Sequence, residues 1–320
     1  MTNHSRRAML ATSAAVMAQA QAQAQSAPIP IIDTHIHFFD MARPQGVPYP
    51  AKGGLNGITR ADAAVFRKTA AQLGVVGAIE VEASPWIEDN LWVLLECEKD
   101  PIMVGTIGNL EPDKPEFREY LDRYRRNPLF LGIRYGNLWG RSLAAMLDKP
   151  EFIAGMKELA AANLTLDTAN PRGDLLRSII ALTDKVPGLR VVLDHVPAMT
   201  AFDEPAERAA LEASLRELAK RNVYAKLSVV ARREAGGVNK NLASHKHRLD
   251  LLCGIFGDDR VVYGSDWPNS SGNWITYADA LKLVQDYFAA KPRAAAEKYF
   301  WRNSVSAYRW VWRQAGQPRV

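Results

Sequence analysis

The chain has little of what marks several large classes of protein. Its 320 residues include only two cysteines, Cys97 and Cys253, so a disulfide framework and a Cys-x-x-Cys metal pair are both excluded. Both lie in apolar helical patterns and are expected to pack in the core. Histidine is also scarce, at six residues, and two of these, His245 and His247, lie in a charged helical stretch and are expected at the surface.

An excess of charge of either sign is also missing. Lys and Arg number 40 against 35 Asp and Glu, and no long basic run occurs, so a nucleic-acid partner is not expected. No segment is long and apolar enough to span a bilayer, so a membrane-spanning protein is not expected either. The composition is ordinary for a soluble globular protein and says nothing about its chemistry.

The first 27 residues differ in composition from the rest of the chain. Arg6 and Arg7 are their only charged residues, and an Ala-rich, weakly apolar stretch with several Ala-x-Ala sites follows them. This order resembles a twin-arginine export signal. An ordinary secretory signal or an Ala/Gln-rich tail is the alternative. We therefore expect residues 1–27 to direct export to the periplasm and residues 28–320 to form one catalytic domain.

Beyond this segment, short apolar runs alternate with amphipathic stretches of helical period. Runs without strict alternation are typical of parallel strands buried on both faces. Eight such strand-then-helix units predict a single (β/α)8 barrel, with an extra C-terminal helix over Ala294–Arg313. A Pro- and Gly-rich loop, Phe39–Thr59, is expected to cover its mouth. The predicted strands are Pro30–His37, Val75–Ala83, Ile102–Asn109, Leu129–Tyr135, Leu164–Ala169, Leu189–His195, Val223–Val229 and Arg260–Asp266.

Chemically versatile side chains end three of these strands. His35 and His37 alternate along the first strand and so share one face. His195 ends the sixth strand and Asp266 ends the eighth. Since the carboxyl ends of barrel strands open into one mouth, we expect these four side chains to meet. Imidazoles can share a metal ion or polarise a carbonyl, and a carboxylate can take a proton from water.

Other residues near strand ends are candidates for holding a substrate. Arg134 follows the fourth strand, and Arg232 and Arg233 follow the seventh. A guanidinium group binds two oxygens of a carboxylate or sulfonate at once, although salt bridges within loops are the alternative. Tyr49, in the first loop, is a further candidate. The pair Glu80 and Glu82 shares a face of the second strand, and its role stays open.

The motifs DTHIH (33–37), DH (194–195) and GSDWP (264–268), in this order, resemble the amidohydrolase superfamily. The narrower resemblance, over residues 29–312, is to a branch with sugar lactonases, 2-pyrone-4,6-dicarboxylate lactonase and 4-sulfomuconolactone hydrolase. It implies that Asp266 activates water while His35, His37 and His195 bind a metal ion or polarise the lactone carbonyl. The bridging lysine of strand four and the histidine of strand five in two-metal relatives are absent. The resemblance therefore implies one divalent ion, zinc for preference, or none.

The expected function is hydrolysis of a lactone ring. The three arginines favour an acidic lactone, with a carboxylate or sulfonate, over a neutral sugar lactone. Lactone isomerisation on the same site is a close alternative. A superfamily decarboxylase is less favoured because those enzymes use the missing strand-five histidine, and a non-catalytic binding protein is disfavoured by the intact His/Asp set. The sequence leaves the oligomeric state open.

Overall fold

Parallel strands arranged in a ring dominate the computed structural model, which describes residues 27–168 and 171–319. In chain order the strands are β1 Ile31–Ile36, β2 Phe39–Asp40, β3 Arg60–Ala61, β4 Val75–Val81, β5 Met103–Gly108, β6 Phe130–Arg134, β7 Thr165–Asp167, β8 Arg190–Leu193, β9 Val223–Lys226, β10 Arg232–Glu234, β11 Gly237–Asn239 and β12 Val261–Val262. Eight of these strands hydrogen-bond side by side in the order β1-β4-β5-β6-β7-β8-β9-β12. The other four form two short antiparallel pairs, β2 with β3 and β10 with β11.

Helices follow the barrel strands and cover the outside of the sheet. Several begin at a side-chain cap, as where Asp62 accepts from the backbone N–H of Val65 and Thr276 accepts from that of Asp279. The α-helices of the described residues are α1 Ala63–Ala70, α2 Asp89–Lys99, α3 Phe117–Tyr124, α4 Leu143–Met146, α5 Pro150–Ala161, α6 Gly173–Lys185, α7 Pro205–Ala219, α8 Leu242–Phe256, α9 Tyr277–Ala289, α10 Arg293–Glu297 and α11 Asn303–Tyr308.

The first and last barrel strands meet through backbone hydrogen bonds beyond the end of β12. The amide of His37 donates to the carbonyl of Trp267 (2.7 Å), and that of Asp266 donates to the carbonyl of His35 (2.8 Å). The buried Asp33 carboxylate reinforces this junction by accepting from the amides of His35 and Ser265. Closure therefore brings the first and third sequence motifs directly beside each other.

The predicted (β/α)8 barrel is confirmed, with each of its eight strands in the predicted place. The predicted final helix is not continuous: α10 passes into a π-helical turn, Lys298–Arg302, before α11. The loop after β1 is tied at its base, because β2 pairs with β3.

Two expectations about surface and core have different outcomes. Cys97 and Cys253 are buried and free, as expected. The surface assignment of His245 is wrong: the side chain is 2% exposed and its Nε2 lies 2.9 Å from the carbonyl oxygen of Asn239. Asn239 is the last residue of β11, which pairs with β10 in a hairpin before α8, whereas His247 is exposed.

The proposed export signal falls almost wholly outside the described residues, so it stays a prediction. Within residues 27–168 and 171–319, the structure has no helix with the length and apolar character needed to cross a membrane.

Candidate active site

Four side chains from three strand ends converge at the mouth of the barrel. His35 is the fifth residue of β1 and His37 follows that strand, while His195 follows β8 and Asp266 follows β12. The Nε2 atoms of His35 and His37 are 3.2 Å apart. Oδ1 of Asp266 lies 3.2 Å from Nε2 of His37, 3.7 Å from that of His35 and 3.6 Å from that of His195. The structure thus brings together the four residues that the sequence motifs singled out.

The spacing of these donor atoms suits one small divalent ion. Zinc bound tetrahedrally at 2.0–2.1 Å requires ligand atoms about 3.4 Å apart, and the four distances lie close to that value. Two overlapping sets of residues, which share His35, have ligand atoms within 4.8 Å of one another: His35, His37 and Asp266 form the first, and His35, Asp194 and His195 form the second. His35, His37 and Asp266 are therefore compatible with a single metal ion, while His195 belongs to the second set.

Hydrogen bonds on the far side of each ring fix how the imidazoles face the centre. Nδ1 of His37 lies 2.7 Å from the carbonyl oxygen of Val81, so this nitrogen donates and Nε2 is left as an acceptor. Nδ1 of His195 lies 2.8 Å from Oγ of Ser228. These contacts turn both Nε2 atoms towards Asp266 with a lone pair available in the Nδ1–H tautomer.

The environment sets the charge of each group. Burial lowers the pKa of His35 well below its usual range and also lowers the pKa of His195, so both are neutral at neutral pH. Burial alone would raise the pKa of Asp266, but His195, His37 and His35 together lower it below its usual range. Neutral imidazoles and an ionised carboxylate are the forms that bind a divalent metal ion.

The backbone is strained at the same positions. His195 and Asp266 have φ values of 53° and 59°, in the left-handed region that non-glycine residues rarely adopt. Val229, after β9, has a φ of 53°, which is more unusual for a β-branched residue. Strain of this kind costs on the order of 1–3 kcal/mol per residue and is concentrated at functional sites. The local bends direct both site side chains into the mouth.

A buried lysine that was not predicted from the sequence lies beneath the site. Lys226, the last residue of β9, is fully buried, and its Nζ lies 2.6 Å from Oδ2 of Asp167 and 2.9 Å from Oδ1 of Asp194. The same Nζ is 3.2 Å from Nδ1 of His35, which is also 3.3 Å from Oδ1 of Asp194. The signal was a lysine within the apolar strand sequence VYAKL, because a charge at such a position needs buried partners.

Asn269, a second residue that the sequence did not indicate, contacts the other oxygen of the Asp266 carboxylate. Its Nδ2 donates to Oδ2 of Asp266 at 2.9 Å. The Tyr49 hydroxyl donates in turn to Oδ1 of Asn269. Tyr49, predicted to hold substrate, therefore lies beside the site and also anchors the first loop to the loop after β12. Asp266 keeps Oδ1 for the histidines and uses Oδ2 for this support.

The three arginines predicted to hold substrate occupy different environments. Arg134 is buried beside the site, with Nε 3.1 Å from Oδ2 of Asp194 and Nη1 4.0 Å from Oε1 of Glu82. Arg232 lies on the hairpin β10–β11 and pairs with Asp203. The adjacent Arg233 is exposed. Two cavities open at the mouth of the barrel. Within residues 27–168 and 171–319, Arg134 is the one of these three arginines that lines either cavity.

Two connected cavities open above the four converging side chains, and His195, Asp266 and Asn269 line both. The inner cavity holds about 540 Å³ of space, partly open to solvent, and the outer one about 1010 Å³. The other residues of the inner cavity are His37, Tyr49, Glu82, Ala83, Arg134, Leu138 and Trp139.

The two glutamates of the second barrel strand differ in position. Glu80 is fully buried away from the inner cavity; Thr106 Oγ1 donates to its Oε2 at 2.5 Å, and burial raises its pKa to about 8. Glu82 lines the inner cavity, where Trp139 Nε1 donates to its Oε2 at 3.0 Å. Burial also raises the pKa of Glu82, while Arg134 opposes this effect.

Comparison with known proteins assigns the chain to a family. A family model described as Amidohydrolase matches residues 32–310. The chain belongs to the amidohydrolase family. This confirms the family resemblance of the three motifs, and with it the prediction of a hydrolytic enzyme.

Individual relatives of this amidohydrolase lie in the predicted branch. An L-fucono-1,5-lactonase of Burkholderia ambifaria is 26% identical over 259 residues, which cover 78% of this chain and 86% of the relative. One from Burkholderia multivorans is 27% identical over 287 residues, 86% of this chain and 94% of the relative. The crystal structure of a Burkholderia multivorans amidohydrolase with bound zinc covers 88% of this chain and 100% of its own, with a TM-score of 0.76 at 22% identity. That structural likeness supports the barrel fold.

Proposed function

We propose that this amidohydrolase opens a lactone ring by hydrolysis. The observation that carries the proposal is the position of Asp266 Oδ1, within 3.7 Å of three imidazole nitrogens at the wall of the inner cavity. The lactonase names of two relatives support the same reaction class. Hydrolysis of a cyclic ester requires a proton acceptor for water, which Asp266 offers, and stabilisation of the carbonyl oxygen, which a divalent ion held at this site would supply.

Each residue then has a defined task. Asp266 accepts a proton from the attacking water at Oδ1, while Asn269 holds its Oδ2. The water oxygen bonds to the carbonyl carbon, the ring C–O bond breaks, and the proton on Asp266 passes to the ring oxygen. His35, His37 and His195, with Asp266, would hold a divalent ion, which when bound polarises a carbonyl and acidifies water. The lowered pKa values of His35 and His195 suit that role.

The substrate that fits best is an uncharged lactone bearing hydroxyl groups. Arg134 already faces Asp194 and Glu82, so its charge is balanced within the protein. Arg232 is similarly engaged with Asp203. The sugar lactone in the names of both relatives points the same way. An acidic lactone is the second candidate, because Arg134 lines the inner cavity and Arg172 lines the outer one.

The reaction is tested with purified protein and a panel of neutral and acidic lactones, followed by a pH indicator. Ring opening releases a proton from the carboxylic acid product, so hydrolysis acidifies the solution. An isomerase would consume the lactone without acidification, and a decarboxylase would release carbon dioxide from an acidic substrate. Binding of a lactone without turnover would contradict the proposal and favour a binding protein.

Metal binding at the four-residue site gives a separate prediction. Isothermal titration of metal-stripped protein with zinc should show one site per chain. His35→Ala should weaken zinc binding by about 100-fold or more. Loss of a residue that merely supports a metal ligand already weakens binding by up to about 100-fold, and His35 would be a ligand itself. The matched control is His247→Ala, because His247 is exposed on α8 and away from the mouth. Two zinc ions per wild-type chain, or equal affinity in both variants, would contradict the single-ion site.

A further inference from the structure

The inner cavity contains a carboxylate to which the proposed hydrolysis assigns no task. Glu82 directly follows β4 and is 4% exposed, and it lines the inner cavity together with Asp266 and His195. Because ionised groups are seldom buried without a reason, its position at the wall of a ligand cavity calls for one.

The contacts of Glu82 leave part of its hydrogen-bonding capacity free. Oε2 accepts from the indole N–H of Trp139 at 3.0 Å and from the amide of Ser84 at 3.1 Å. Among the described residues, the partners of Oε1 are the indole N–H at a longer distance, 3.3 Å, and the Arg134 guanidinium at 4.0 Å. A carboxylate oxygen accepts two hydrogen bonds, so Oε1 has room for a donor from the cavity. Its partners hold the group rigidly while leaving this acceptor available.

The surrounding charges decide what kind of donor it accepts. The Arg134 guanidinium is shared between two carboxylates, with Nε 3.1 Å from Oδ2 of Asp194 and Nη1 4.0 Å from Oε1 of Glu82, and Lys226 Nζ lies 2.9 Å from Oδ1 of Asp194. A substrate carboxylate placed beside Glu82 would meet a like charge in a dry pocket, which is unfavourable. A substrate hydroxyl can donate to Oε1 without adding charge, and such a charge-assisted hydrogen bond is stronger than a neutral one.

We propose that Glu82 is the specificity-determining residue of the inner cavity, accepting a hydrogen bond from a hydroxyl group on the lactone ring and disfavouring lactones that carry a carboxylate there. The inference rests on the proposed lactone hydrolysis and assigns its substrate class to a named side chain. Trp139 and Ser84 act as positioning residues, because they orient the carboxylate.

The test compares wild type with Glu82→Gln on three lactones with the same six-membered ring. One is a deoxy-sugar 1,5-lactone, one is δ-valerolactone, which has no hydroxyl groups, and one is a δ-lactone bearing a carboxylate. The substitution keeps the shape of the side chain but removes its charge. We expect the ratio of kcat/KM for the hydroxylated lactone to that for δ-valerolactone to fall about 10-fold or more, mainly through KM. The carboxylated lactone should gain relative to both.

Glu80→Gln is the control for the same chemical change, since Glu80 is also buried, two residues before Glu82, but lies outside the inner cavity. It should leave the substrate ratios unchanged. Binding of a hydroxylated δ-lactam, which resists hydrolysis, provides a second readout and should weaken in Glu82→Gln alone. Equal losses on all three lactones, with unchanged lactam binding, would overturn the role of Glu82 while leaving lactone hydrolysis intact. A wild-type protein that opens none of the lactones would overturn the proposed function itself.

Discussion

Asp266→Asn should lower kcat on the best lactone substrate by about 100-fold or more, which is the usual scale for loss of a general base. Asparagine occupies nearly the same volume and can keep the hydrogen bond from Asn269 to the Oδ2 position. Its amide cannot accept the proton from water at neutral pH. The wild-type carboxylate is ionised there because the three histidines lower its pKa. Steady-state kinetics, with thermal unfolding to verify the fold, provide the measurement.

Asp286→Asn is a suitable control for this substitution. Asp286 is exposed on α9 and pairs with Lys282, so the same chemical change there should leave kcat near the wild-type value. If Asp266→Asn kept near wild-type turnover with an intact fold, another group would have to act as the base. A change confined to KM would place Asp266 in substrate binding instead.

Much of the site was predictable because it lies at strand ends. In a parallel barrel the strand order fixes which carboxyl ends meet, so His35, His37, His195 and Asp266 could be grouped without knowing any loop. Each follows or ends an apolar run that already specified its strand. Alternation along β1 also predicted that the two histidines of the first motif share a face.

The residues that were missed or misplaced depend on contacts between distant segments. Arg232 was expected at the mouth, but β10–β11 is a hairpin that brings it to Asp203, 29 residues earlier. Asn269 and Tyr49 meet across 220 residues, and nothing in either local sequence indicates that pairing. His245 lies on a helix whose charged pattern suggested exposure, yet it is buried and its Nε2 contacts the carbonyl oxygen of Asn239, on the hairpin. Each of these contacts depends on the conformation of a loop or hairpin, and such segments have no hydrophobic periodicity from which their conformation could be predicted.

The buried charges under the site show why their partners could not be predicted either. Asp167, Asp194 and Lys226 end three successive barrel strands, β7, β8 and β9, or directly follow them. Each of these charges is costly to bury alone. Together with Arg134, which lies beside Asp194, they form a buried charge layer in which opposite charges offset the free-energy cost of burial. Tyr308, from the last helix, donates to Asp167 Oδ2 at 2.8 Å and connects the C-terminal segment to this layer.

Lys226→Met should therefore cost about 3–5 kcal/mol of the free energy of unfolding, since it leaves buried carboxylates without their cation. Lys240→Met is the control, because Lys240 forms an ion pair of the same length at the surface. Its Nζ lies 2.6 Å from Asp279 Oδ2, the same distance as between Lys226 Nζ and Asp167 Oδ2, but Lys240 and Asp279 are both exposed. Lys240→Met should cost less than about 1 kcal/mol in urea unfolding at pH 7.

The pH dependence of that loss separates charge from packing. Burial already raises the pKa of Asp167 despite Lys226, and removal of the lysine should raise it further. A carboxyl group with a raised pKa in the folded state destabilises the protein progressively as pH rises above the unfolded pKa of about 4. The deficit of Lys226→Met should therefore be larger at pH 8 than at pH 5, whereas a loss of packing alone would be independent of pH. Equal losses in the Lys226 and Lys240 variants would show that the buried layer gains nothing from its lysine.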